Sequence, residues 1–409
     1  MRRDYTLLVI FFIASVAAEA QVVPAVAPGP NRLPVISGTL HADLRYSQSA
    51  QFYSNEVTQT AIASGEVGYA SPSETRPTSL TYSGGDMWNL TSGNGGSGVF
   101  QHLMVTQGIL GRNWSWNVSD DVNYMPQSPT TGFSGIPGVG SLPASTTPSQ
   151  TILTLNTRSV YNSVSSGYTH SLGHATSLSV SGSYGIQRFP DGYGLETNQW
   201  QVGSQITRRL NVRNSIFGAY SYTRYSYPGY TITMETKSAQ FGGQRSWSRR
   251  FTTSASVGPE WSSGSDSAQI PSSTGVSANA SATYQARSTT ASLSYSQGTS
   301  GSSGAIASFG TRNYDAMASV TRQLNRSLSI NGSGGYMRTR SLKLAGVTNS
   351  EYGGVSATQK LGRYFSVFAN YTASRQLSSS VLSEKAIHGA TQTVSFGIEY
   401  SPREWRFRR

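Results

Sequence analysis

The sequence predicts an all-β protein: a transmembrane antiparallel up-and-down β-barrel of about eighteen strands, with sixteen as the alternative. Three observations carry that expectation. Segments of roughly ten residues alternate apolar and small polar side chains along most of the chain. The connections between these segments alternate between short and long. One face of the segments is small and uncharged, where a soluble β-sandwich would carry Lys and Glu.

The first element is an address. Arg2 and Arg3 precede an apolar stretch from Tyr5 to Ala17, and Ala18-Glu19-Ala20 forms a small-residue cleavage site. This is the layout of a signal peptide over residues 1–20, which sends the protein across the inner membrane. Its removal takes away two basic and two acidic residues, so the net charge stays at +12. Residues 21–37 are expected as a periplasmic N-terminal segment, 38–401 as the barrel, and 402–409 as a basic aromatic C-terminal tail. The chain has no Cys, so its stability must come from topology.

Period two places the strands. Between 251 and 258, Phe251, Thr253, Ala255 and Val257 share one face, and Thr252, Ser254, Ser256 and Gly258 share the other. Val276, Ala278, Ala280, Ala282 and Tyr284 repeat the pattern, as do Phe365, Val367, Ala369 and Tyr371. Read in order, the strands fall at 38–47, 59–70, 78–86, 98–109, 114–124, 159–171, 176–188, 199–209 and 215–225. The second half gives 236–247, 251–260, 276–286, 289–298, 313–323, 327–339, 350–361, 365–376 and 391–401. Connections such as 110–113, 172–175 and 248–250 are short, whereas 87–97, 125–158 and 377–390 are long; 48–58 is a long outlier. An even strand number sets both termini on the short-turn side, the arrangement of outer-membrane barrels. A solenoid would need a fixed coil length, which is not seen.

Composition agrees. The chain is 36% hydrophobic and 12% charged, too poor in apolar residues for one packed core, yet 11% aromatic, too rich for disorder. Tyr220, Tyr222, Tyr225, Tyr227 and Tyr230, with Tyr184, Phe189, Tyr193, Trp261 and Tyr336, cluster at strand ends and are expected to form an interfacial girdle. Arginines gather at the other rim: Arg112, Arg213, Arg249, Arg287, Arg326 and Arg363 sit at or beside short turns. Their expected counter-ions are phosphates of outer-membrane lipid, with lipopolysaccharide a further envelope partner. Basic residues spread over many turns exclude a nucleic-acid patch.

The passages Leu80-Thr-Tyr-Ser-Gly-Gly and Gly132-Phe-Ser-Gly-Ile-Pro-Gly-Val-Gly, and the modules of Ser/Thr-rich strand, Arg or Asn turn and Tyr-rich strand from Thr157 onward, carry a resemblance. The chain resembles the β-barrel porins of Gram-negative outer membranes, of the exopolysaccharide-associated type. The resemblance implies a barrel and a transport role and supplies no catalytic residues. In one respect the chain departs from it. Outer-membrane barrels usually finish on an aromatic residue that the barrel assembly machinery reads, whereas here Pro402 follows Tyr400 and the end runs Trp405-Arg-Phe407-Arg-Arg.

The expected function is passive diffusion of small polar solutes, including saccharides or an exported polysaccharide, with no cofactor and with a homo-oligomer left open. Pore-lining candidates are His41, Asp43, Arg45, Glu66, Lys360 and Glu399, which lie on the polar side of their strands. The loop 125–158, uncharged from Met125 through Thr157 and ending on Arg158, is a candidate constriction through Gly132, Phe133, Gly135, Pro137, Gly138 and Gly140, offering hydrogen bonds but no charge filter. A structural or adhesive barrel without transport is the alternative. A barrel hydrolase is a further one, but His41 with Asp43 is the sole His/acid pair two residues apart, and no metal-binding or dinucleotide spacing appears. The mature chain is expected to require detergent, to show β-rich circular dichroism and to migrate differently on gels when unheated. A soluble monomer without detergent would contradict the membrane assignment.

Overall fold

A computed structural model of the chain describes residues 37–53, 56–71, 73–91, 98–125, 158–190, 192, 195–301, 309–343, 346–378, 389–403 and 405–408. The expected signal peptide lies outside them, as does the expected N-terminal segment except Ser37, which opens the first strand. The strands are β1 (Ser37–Tyr53), β2 (Glu56–Ser71), β3 (Thr78–Asn89), β4 (Gly98–Leu110), β5 (Trp114–Met125), β6 (Ser159–Ser171), β7 (Thr176–Arg188), β8 (Thr197–Arg209) and β9 (Asn214–Ser226). They continue as β10 (Thr233–Ser246), β11 (Phe251–Gly264), β12 (Ser273–Gln285), β13 (Thr289–Gly301), β14 (Gly310–Gln323), β15 (Leu328–Ser341), β16 (Val347–Lys360), β17 (Phe365–Ser378), β18 (Gly389–Tyr400) and β19 (Trp405–Arg408).

From β1 to β18 each strand pairs antiparallel with the next, and β1 also pairs with β18, from Leu44 opposite Tyr400 to Tyr53 opposite Thr391. The sheet is therefore a closed antiparallel barrel of eighteen strands. β19 resumes β18 after an interruption: Trp405 stands opposite Leu40 and Arg408 opposite Ser37. Residues 41–43 of β1 have no ladder partner on this side, and the bulge opposite them holds Pro402. Proline has no N–H for a ladder, so it belongs where pairing lapses. The segment read as a tail thus rejoins the sheet through its backbone.

Most strand positions match the period-two reading to within a few residues, and the departure at 48–58 is instructive. No long connection exists there; β1 and β2 run 17 and 16 residues and stay paired up to Tyr53 opposite Glu56. Gln48 occupies an outward position that an apolar residue would mark, and its amide donates to the Tyr46 hydroxyl at 2.8 Å. The alternation is present, but polar side chains disguise it.

The short turns are built by their own side chains. Asn211 Oδ1 accepts from the amides of Arg213 and Asn214, both at 2.9 Å, and Asn325 Oδ1 accepts from Ser327 and Leu328 at 2.9 and 2.8 Å. Ser248 Oγ does the same for Arg250 and Phe251 at 3.1 Å. Such Asx and Ser turns close a strand pair without a hydrophobic contact, leaving the intervening arginines exposed.

The two faces separate by parity. Leu44, Trp200, Phe241, Val257, Leu293 and Phe396 point outward and are exposed. Inward positions are small and hydroxylic and bond across the ladders: Ser221 with Ser238 at 2.8 Å, Ser292 with Ser319 at 2.7 Å, and Gln240 with Ser256, Ser277 and Asn279 at 2.8, 2.6 and 3.1 Å. Such pairs satisfy the wall without occupying the lumen.

Large inward side chains lie against the wall. Phe217 is opposite Gly242, Phe100 opposite Gly85, Tyr352 opposite Gly335 and Phe368 opposite Gly397. In each pair the ring fills the space in which a Cβ on the glycine would sit. The glycine lets the ring fold flat, and the ring covers the exposed glycine backbone. Gly397→Val is expected to push the Phe368 ring off the wall and destabilise the barrel by about 1–3 kcal/mol, read from urea unfolding of the detergent-folded protein. An unchanged midpoint would remove the pairing from the account.

Candidate pore wall and mouth

The β1 side of the seam presents the first group of inward charges. His41, Asp43 and Arg45 share one face of β1; Asp43 is directly opposite Glu66 on β2, and Arg45 is opposite Glu399 on β18. His41 Nε2 lies 3.3 Å from Glu66 Oε1. Arg45 stacks on Phe368, with its guanidinium carbon 3.7 Å from the ring centroid, and its Nη1 lies 4.0 Å from Glu399 Oε2. Five of the six pore-lining candidates thus fall together. Lys360 stands apart at the end of β16, on the same parity as the buried Ser350 and exposed.

A second inward pair was not singled out by the sequence. His102 of β4 sits 3.1 Å from Asp121 of β5, and Asp121 is 4% exposed. The two are nearly opposite once β4 and β5 are paired, since His102 faces Asn123 and Met104 faces Asp121. Nothing in local spacing joins residues 102 and 121. Their register does.

The mouth is narrowed by a hairpin end. The β12–β13 ladder stops at Ala278 opposite Gln297, although β12 starts at Ser273 and β13 continues to Gly301. Past that point the β13–β14 hairpin leans across the inner face of β9–β12. Arg312 lies on the parity of outward Val320. Its Nη2 nevertheless comes to 3.9 Å from Oε1 of Glu260, an inward residue of β11. Its guanidinium fills the space that a Cβ on Gly275 would need. Gly301 lies against the Tyr225 ring, and a Cβ on Gly310 would come to 2.9 Å from Met234 Sδ.

An apolar cluster holds this hairpin in place. Tyr225, Tyr227, Met234 and Ile270 are buried, with Leu195, Ile232, Phe309 and Leu342 packed around them. Phe309 meets Tyr227 and Tyr230 edge to face, with ring centroids at 5.0 and 5.1 Å, and the Tyr227 hydroxyl donates to the Phe309 carbonyl. Tyr225 and Tyr227, expected in the girdle, are therefore corrected to the cluster at the mouth, and Phe189 is also buried. The reason is parity: Tyr220 faces out, so odd-numbered Tyr225 faces in. Tyr193 and the proposed constriction residues Gly132, Phe133, Gly135, Pro137, Gly138 and Gly140 lie outside the described residues.

Outward aromatics gather near both rims. Trp114, Tyr168, Trp247, Phe251, Tyr364, Phe365 and Tyr400 lie on the short-turn side, and Trp88, Trp200, Trp261 and Tyr336 on the other, all exposed, whereas Tyr220, expected in the girdle, lies at the middle of β9. Tyr184 packs on Trp200 with centroids 4.5 Å apart, and Phe365 on Tyr400 at 5.0 Å. An apolar outer face between aromatic belts is the profile of a barrel in an outer membrane. Arg112, Arg213, Arg249, Arg287, Arg326 and Arg363 are all exposed at the short-turn rim.

No protein-family model matches the chain, and no curated protein matches it. Among solved structures, the chain is similar to Pseudomonas aeruginosa OpdK with vanillate, at 10% identity and a TM-score of 0.48, covering 90% of this chain and 99% of that one. It is also similar to Pseudomonas aeruginosa OccK5 (OpdH), at 9% identity and 0.47, covering 90% and 98%. Acinetobacter baumannii OccAB3 gives 9% identity and 0.47, covering 90% and 99%.

Arg312 and Glu260 form an ion pair without a hydrogen bond, and the Glu260 side chain is 6% exposed. Truncating the cation leaves a buried carboxylate without its partner. Arg312→Ala is expected to loosen the hairpin by about 1–3 kcal/mol, seen as faster amide exchange at residues 298–301 and 309–313 and unchanged exchange in β6–β7. Uniform exchange across both regions would count against the latch.

Proposed function

We propose that the protein is an outer-membrane channel through which small polar solutes diffuse passively. The observation that carries this is the combination of eighteen-strand closure with an inner face of hydroxyls, amides and glycines. A barrel of this strand number encloses more space than its own side chains fill, and here the largest inward rings fold against the wall. A wall whose charges are mostly paired, His102 with Asp121, Arg45 with Glu399 and Arg312 with Glu260, offers hydrogen bonds more than a strong field. That favours neutral polar solutes such as saccharides, including segments of an exported polysaccharide. The arginine turns meet lipid phosphates, lipopolysaccharide surrounds the outer leaflet, and the assembly machinery reads the end of the chain around β19.

The hydrolase alternative gains no support. Among the described residues no serine hydroxyl bonds to His41 or His102; each imidazole is held by a carboxylate. Reconstituted in a planar bilayer, the folded protein is expected to show stepwise openings and weak ion selectivity. In liposomes it should admit neutral mono- and disaccharides faster than protein-free controls. A folded barrel that shows neither would leave the purely structural reading.

A further inference from the structure

We propose that His41, Asp43 and Glu66 form a binding site for a divalent transition-metal ion on the inner wall of the barrel. One ligand atom from each lies within 4.8 Å of the others. Ligands at about 2.0–2.2 Å from a common ion stand roughly 3–4 Å apart, so small side-chain rotations close the site.

Three features separate it from an ordinary pair of surface carboxylates. Asp43 and Glu66 are directly opposed on adjacent strands, a like-charge pairing that costs stability unless a cation lies between them. The neighbouring cation does not serve, because Arg45 is drawn to the far side of β1, stacked on Phe368 and facing Glu399. The third donor is positioned by the backbone: His41 stands opposite Gly68, and its imidazole fills the space that a Cβ there would take. The ring therefore lies along the wall, its Nε2 directed to Glu66 instead of into the lumen.

One imidazole nitrogen and two carboxylate oxygens suit zinc and its first-row neighbours better than calcium, which prefers more oxygen donors. Three protein ligands leave at least one coordination position open to the lumen, so the bound ion would exchange with solution. The site also adjoins the bulge at 41–43, the stretch of β1 without ladder partners on the seam side. A metal bridging β1 and β2 would stiffen that stretch. None of this depends on the channel reading, since metal binding and conductance are measured separately.

Isothermal titration of the folded, detergent-solubilised mature protein with Zn²⁺ tests the proposal, with Ca²⁺ as comparator and correct folding checked by heat-modifiable migration. One Zn²⁺ per chain is expected, weakened at least about tenfold by His41→Gln and by the near-isosteric Glu66→Gln, and unaffected by His174→Ala at the exposed 172–175 turn. Gly68→Val, which displaces the imidazole and leaves all three ligands present, should weaken binding as well. Equal binding by wild type and the folded His41 and Glu66 variants would overturn the site. So would the absence of Zn²⁺ binding, or Ca²⁺ binding as tight as Zn²⁺.

Discussion

Everything in this molecule depends on one pairing, that of β1 with β18 and β19. A sheet in a membrane has no water to satisfy its edges, so each N–H and C=O must find a partner in another strand. The first strand closes on the last over a long ladder and then, past a bulge containing Pro402, on the final residues of the chain. Closure makes the other requirements local. Once no edge is left open, each strand needs only an apolar outer face and an inner face that does not fill the lumen.

The inner face meets that demand with hydroxyl pairs and with glycine. Ser and Thr side chains bond to each other across the ladders, and bulky rings lie on glycines of the opposite strand. Aromatic residues can thus point into a barrel without blocking it. The mouth is built on another principle: several connections pool their apolar side chains, and the β13–β14 hairpin leaves the wall to lie on them. The low overall hydrophobicity is consistent with this division, since the lipid face needs only alternate residues and the small core at the mouth needs a handful.

Alternation made the strands legible. Segments such as 159–171 and 176–188 agree with β6 and β7 at both ends because small polar and apolar residues mark every step. Legibility failed at 48–58, where Gln48 stands in an outward place, and at Tyr225 and Tyr227, whose clustering points to a girdle while the parity of Tyr225 against Tyr220 turns it inward. The site was legible in part. His41, Asp43 and Arg45 share a face of one strand and are visible from spacing alone, whereas their juxtaposition with Glu66 and Glu399, and that of His102 with Asp121, arises from register between strands. The inward lean of the β13–β14 hairpin has no local signature, because it comes from a ladder that ends early.

The unusual length of β1 and β2 sets the profile of the rim. Seventeen residues at about 3.3 Å each, tilted by roughly 40°, rise about 43 Å, against an apolar band about 25 Å tall. The paired strands therefore outreach the apolar band by some 15–20 Å in all, and their ladder holds to its last residue. The excess is shared between the two ends: β1 runs past Tyr400 on the short-turn side, where β19 pairs with it, and β2 runs past its pairing with Asn89 at the mouth. The β1–β2 hairpin lies far around the wall from the apolar cluster of Tyr227 and Phe309, so the entrance is a lopsided porch with an aromatic shelf on one side only.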